Sequence, residues 1–208
     1  RSLDPTVVSK FADCGVYVLD ASDELIPAAL KYIGEDPDSK DPKVLEKAEA
    51  VLMKVRPYIR KFHSSQYIED LANGDICLAY GWSGDVVQAK QRAKDAKKGV
   101  NIDYRVPQEG AQMWFDSFAI PKDAPHPDAA YAFINYLMRP EVIAKASNVV
   151  FYPNANKDAD ALVSEAVKSD PDIYPPPALR EKLYTITPYD QASQRVLTRI
   201  WTRVKGAS

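Results

Sequence analysis

Along the chain, the spacing of apolar positions switches repeatedly between a period of two and a period of three to four. Residues 15–20, GVYVLD, alternate in the manner of a strand. The following DELIPAALKYIG reads as a short helix, with Pro27 tolerable only near its start and Gly34 closing it. In KVLEKAEAVLMKVRP, the residues Val44, Leu45, Ala48, Val51, Leu52 and Val55 mark one helical face, and Pro57 ends it. A helix over SQYIEDLANG, ended by Asn73-Gly74, leads into DICLAY, a short apolar run suited to a buried strand. VVQAKQRAKDAKKG predicts a helix with a charged, solvated outer face. VNIDYRVP (100–107) and AQMWFDSFAIP (111–121) read as two more strands. The stretch 127–148 reads as two helices broken at Arg139-Pro140. A last amphipathic helix gathers Val196, Leu197, Ile200, Trp201 and Val204 on one face. Strand and helix alternate, so the expected class is α/β.

Composition narrows the function classes. With 208 residues, 46% hydrophobic and 27% charged, the chain can build a proper core. A net charge of −2 offers no basic footprint for nucleic acid. No apolar run approaches the roughly 18 residues that a membrane span needs. The chain begins at Arg1 rather than Met, which fits a cleaved signal peptide or a truncation. His63, His126, Cys14 and Cys77 lack zinc-ligand spacing, so no metal is expected. The two cysteines each sit beside a strand-like run, in CGVYVLD and ICLAYGW. They read either as two buried thiols or as one disulfide joining neighbouring strands in an oxidising compartment.

The chemistry concentrates where strands end. AYGWSGD (79–85) resembles a misspelt nucleophile elbow: in Gly81-Trp82-Ser83-Gly84-Asp85 the second Gly comes one place early. The only late histidine is His126, set between two prolines, so a serine hydrolase acting through Ser83 is a remote alternative. No glycine-rich loop with a Lys-Ser/Thr pair offers a phosphate cradle.

Aromatic and carboxylate residues, in contrast, recur together: Tyr80, Trp82 and Asp85; Trp114, Phe115 and Asp116; Asp20, Asp23 and Glu24. In a strand, Trp114 and Asp116 would share one face and Phe115 the other. Singly, each has a plainer reading, the aromatics as core and Asp85 as a helix cap. Jointly they suit an organic polycation, because carboxylates bind ammonium groups and aromatic faces attract both cation and methylenes. Open α/β sheets bind ligands at such strand ends.

The stretches KFHSSQYIEDLANGDICLAYGWSGDVVQAKQRAKDAKKGVN, PQEGAQMWFDSFAIPKDA, FINYLMRPEV, VFYPNANK and RVLTRIWTRVK resemble the periplasmic polyamine-binding proteins of bacterial ABC importers. The resemblance covers essentially the whole chain. It implies the two-lobed periplasmic-binding fold, a periplasmic location, no enzymatic activity, no cofactor, a monomer, and delivery of the ligand to an inner-membrane ABC permease. Family members are longer, so the resemblance further implies a C-terminal portion lacking most of the first lobe. Residues 1–95 and 148–208 would then form the second lobe, and 96–147 a returning piece of the first. It assigns Trp82 as a stacking residue, Asp85 and Asp116 as amine-binding carboxylates, Glu24 as the acid at the ligand's other end, and Tyr152 to the cleft wall. Trp114 stands where spermidine binders tend to carry Trp, which implies spermidine as ligand, with putrescine as the alternative. Cys14 and Cys77 match a disulfide pair. Ser83 receives no ligand role.

Overall fold

A computed structural model describes residues 3–207. Its sheet has three parallel strands in the order β2-β1-β3, with β1 (Val16–Val18) between β2 (Lys61–Phe62) and β3 (Leu78–Tyr80). Register pairs Tyr17 with Lys61 on one side, and Val16 with Leu78 and Val18 with Tyr80 on the other. All three β1 residues are buried. The central strand of a parallel sheet is covered on both faces, so the alternation read in GVYVLD is not expressed as burial.

The helices follow the apolar spacing. α1 (Pro5–Val8) is capped by the Asp4 side chain, which accepts from the Thr6 amide at 3.0 Å. α2 (Ser22–Tyr32), α3 (Pro42–Val55), α4 (Tyr67–Asn73) and α5 (Ser83–Ala96) then alternate with the strands. α6 (Pro127–Leu137) and α7 (Pro140–Val150) break at Arg139-Pro140, as the sequence predicts. Short α8 (Glu165–Lys168) and α9 (Pro177–Arg180) precede α10 (Gln191–Gly206). Pro27 is a departure: it sits well inside α2, buried, where it deprives one carbonyl of its i−4 partner. Gly34 and Gly74 take left-handed backbone just beyond α2 and α4.

The main core joins the sheet to α2, α3, α4 and α5, and to α10 through Leu197, Ile200 and Val204, all 0% exposed. The last helix thus closes a core begun at the first strand, Trp201 meeting Phe62 edge-on at 5.3 Å. A second, smaller core gathers Val87, Ala144, Ala159, Val163, Val167 and Ile173. Cys14 and Cys77 form a disulfide with Cα atoms 5.6 Å apart, just ahead of the adjacent strands β1 and β3.

The expected strands at 100–107 and 111–121 do not form. Among the described residues, this region makes one isolated bridge, Gln112 with Tyr184, with the Met113 amide donating to the Tyr184 carbonyl at 2.7 Å. A strand needs a neighbour to take its amides and carbonyls, and no longer extended segment lies alongside. The period of two survives in packing, since Val100, Ile102 and Tyr104 lie against the main core in alternation.

Candidate ligand-binding cleft

The turn from β3 into α5 is the centre of the site. α5 begins at Ser83, three residues before the apolar run that suggested it, so Ser83 is simply its first helical residue. Trp82 is the N-cap residue, and its own side chain makes no capping bond. Asp85 lies in the first turn rather than at the cap, where its charge complements the positive end of the helix dipole.

Two tyrosines, Tyr67 buried and Tyr152 half-buried, occupy the places that caps would fill. The Tyr67 hydroxyl accepts from the Trp82 amide at 3.1 Å and donates to Asp85 Oδ2 at 2.8 Å. The Tyr152 hydroxyl accepts from the Asp85 amide at 3.3 Å and donates to Asp85 Oδ1 at 3.1 Å. Both carboxylate oxygens are therefore held. Burial pushes both phenols well above their ordinary value, and the Asp85 charge adds to this, so both stay neutral donors.

This arrangement explains the two glycines. A Cβ at Gly81 would stand 2.5 Å from the Tyr67 ring, and one at Gly84 would stand 2.3 Å from the Tyr152 ring. Each glycine makes room for one tyrosine.

Trp82 also reaches the first turn of α2, its Nε1 donating to Glu24 Oε1 at 3.1 Å. Burial holds the Glu24 carboxyl above the usual range; the Trp82 bond opposes this and the Asp23 charge adds to it. Rings then continue the wall, Trp82 to Trp114 at 6.3 Å and Trp114 to Tyr152 at 6.2 Å. Glu24, Trp82, Trp114, Asp116 and Tyr152 all border one cavity of about 2480 Å³. Asp85 meets that wall through Tyr152.

Two expectations need correction. Phe115 does not turn away from Trp114 and Asp116. Without a strand to impose alternation, all three border the cavity, Phe115 with 71% of its surface exposed. The grouping Asp20, Asp23 and Glu24 divides as well. Asp20 accepts from Trp201 Nε1 at 2.9 Å and pairs with Lys205 at 2.6 Å, fastening α10 to the end of β1 instead of serving the cleft.

Sequence reasoning missed Tyr67. In SQYIEDLANG it has the spacing of a core residue with Leu71, and it is 1% exposed. The one available signal was the pair of glycines around Trp82, which implied a close approach by something.

The sequence from residue 6 to 175 matches the model of the bacterial extracellular solute-binding protein family, and the chain belongs to that family. That family is one of solute-binding proteins rather than enzymes, which sets aside the reading of Ser83 as a nucleophile. The chain is 53% identical, over 98% of its length, to the putrescine-binding periplasmic protein PotF of Escherichia coli, covering 55% of that protein. It is 50% identical, over 97% of its length, to the putrescine-binding periplasmic protein SpuD of Pseudomonas aeruginosa, again covering 55%. The chain thus spans about half the length of these relatives. Among solved structures, the spermidine/putrescine ABC transporter substrate-binding protein PotD of Streptococcus pneumoniae superposes with a TM-score of 0.73 at 27% identity, over 92% of this chain and 58% of that one. The fold is accordingly that of the two-lobed periplasmic binding proteins.

Proposed function

We propose that this protein captures a polyamine in the cleft beside Trp82 and passes it to an ABC-type import permease. The observation that carries the reading is one constellation: Glu24, bonded to Trp82, and Asp116 border the same cavity, and Asp85 lies behind its Tyr152 wall, held between two tyrosine hydroxyls. Carboxylates at separate points suit the two ends of a diamine, and the Trp82–Trp114–Tyr152 wall suits its methylenes. Asp85 is then the carboxylate for one ammonium group, Asp116 a second, and Glu24 the acid at the far end. The names of the two relatives at 50% and 53% identity favour putrescine over the spermidine reading drawn from Trp114.

The lobe assignment belongs to the same proposal, with 1–95 and 148–208 in one lobe and 96–147 returning to the other. Support comes from the core that unites the sheet with α10, and from Phe115, Phe118, Phe133 and Met138, each more than half exposed. Apolar exposure of that extent marks a contact surface. The cavity is larger than the roughly 300–1,000 Å³ of ordinary ligand pockets, which fits closure of a second lobe over the ligand.

Calorimetric titration of the full-length protein with putrescine and spermidine side by side tests this. Saturable binding, tighter for putrescine, is expected. Absence of binding to both would overturn the function, and a clear spermidine preference would restore the first reading of Trp114.

A further inference from the structure

We propose that Tyr67 is a positioning residue for amine capture, one hydroxyl setting both the Trp82 backbone and the Asp85 carboxylate; the ligand named here rests on the polyamine reading above. Tyr67 lies on α4, and its ring is packed into the main core at 1% exposure. A phenylalanine would fill the same space and meet Gly81 in the same way. The hydroxyl is therefore superfluous to packing, and burying it is costly unless it is hydrogen-bonded. Both of its bonds go to the turn, accepting from Trp82 N at 3.1 Å and donating to Asp85 Oδ2 at 2.8 Å.

The two tyrosines that hold Asp85 are not equivalent. Tyr152 borders the cavity, follows α7 and stacks edge-on against Trp114, so it belongs to the wall that a ligand touches. Tyr67 is seated in the core and gives the turn a fixed reference. A carboxylate has about four acceptor sites, and two tyrosine bonds leave about two for an incoming ammonium. With Tyr67 in place, those remaining sites keep one orientation and the ligand need not order them. Without its hydroxyl, Asp85 Oδ2 loses its donor and the Trp82 amide loses its acceptor.

The test uses the full-length protein with Tyr67→Phe, Asp85→Asn and both together. Putrescine affinity is read by calorimetry, and exchange of the Trp82 amide hydrogen is read without ligand. Tyr67→Phe should weaken binding about tenfold, the loss of one charge-assisted bond. The double variant should lose less than the sum of the two single losses, because Tyr67 acts in part through Asp85. Trp82 amide exchange should accelerate by about tenfold or more in Tyr67→Phe, its acceptor being gone. Losses that add in the double variant would mean a merely structural role and overturn the proposal, as would wild-type affinity in Tyr67→Phe. Unchanged amide exchange overturns it even if the wild-type protein binds no polyamine. In that case faster exchange upholds the positioning of the turn while the ligand assignment falls.

Discussion

Trp82 Nε1 donates to Glu24 Oε1 at 3.1 Å, joining the turn after β3 to the first turn of α2. One indole therefore supplies both an aromatic face and the donor that orients a carboxylate across the cavity wall. Trp82→Phe keeps the face and removes the donor. Putrescine affinity should fall about tenfold, the worth of a hydrogen bond to a charged group, with little change in melting temperature. Calorimetry and thermal unfolding on the same samples check both halves.

Glu24 makes binding sensitive to acid. Burial raises its carboxyl above the ordinary value of 4.5, so it begins to take up a proton while pH is still above that value. Folding favours the protonated form, so this contribution to stability is complete below 4.5 and is lost as pH rises through the raised value. An ammonium ligand reverses the preference by favouring the charged form. Affinity should therefore decline as pH falls through the raised value, and binding near it should release a proton. Titrations in buffers of different ionisation enthalpy measure that release, and in Glu24→Gln it should disappear.

Gly84 gives a test that leaves every ligand-facing side chain chemically unchanged. A Cβ there would stand 2.3 Å from the Tyr152 ring, so Gly84→Ala must displace that ring and with it the bond to Asp85 Oδ1. Overpacking of this kind costs about 1–3 kcal/mol. Reduced affinity should accompany the reduced stability, both read from the shift in melting temperature with and without putrescine.

The disulfide closes a loop with a sequence separation of 63. In the chain-entropy model such a crosslink stabilises by roughly 4 kcal/mol, and the measured loss is expected at or below this. Cys14→Ser with Cys77→Ser should lower the unfolding free energy, read from denaturant titration, by up to that amount, with polyamine affinity retained because neither cysteine is one of the carboxylates and aromatic rings of the site.

Period alone located α3, α6, α7 and α10, since an amphipathic helix satisfies its own backbone and needs only one apolar stripe to declare itself. The strand pattern misled at 100–107 and 111–121. Strands are satisfied by neighbours, and those residues find only the bridge to Tyr184. Trp114 and Asp116 border the same cavity as Trp82, although no strand alternation puts them there.

The sequence by itself determined the α/β class, the strand-end turn AYGWSGD, and the aromatic and acidic residue types that suit a polycation. These are local properties, written in spacing and composition. Tertiary structure alone decided that Asp20 serves α10 rather than the cleft, and that Gly81 and Gly84 exist to admit Tyr67 and Tyr152. It alone decided that Asp85 is gripped by hydroxyls from residues 18 and 67 positions away. Partners so distant in the chain leave no local pattern, because a hydrogen bond depends on where the core brings two groups together.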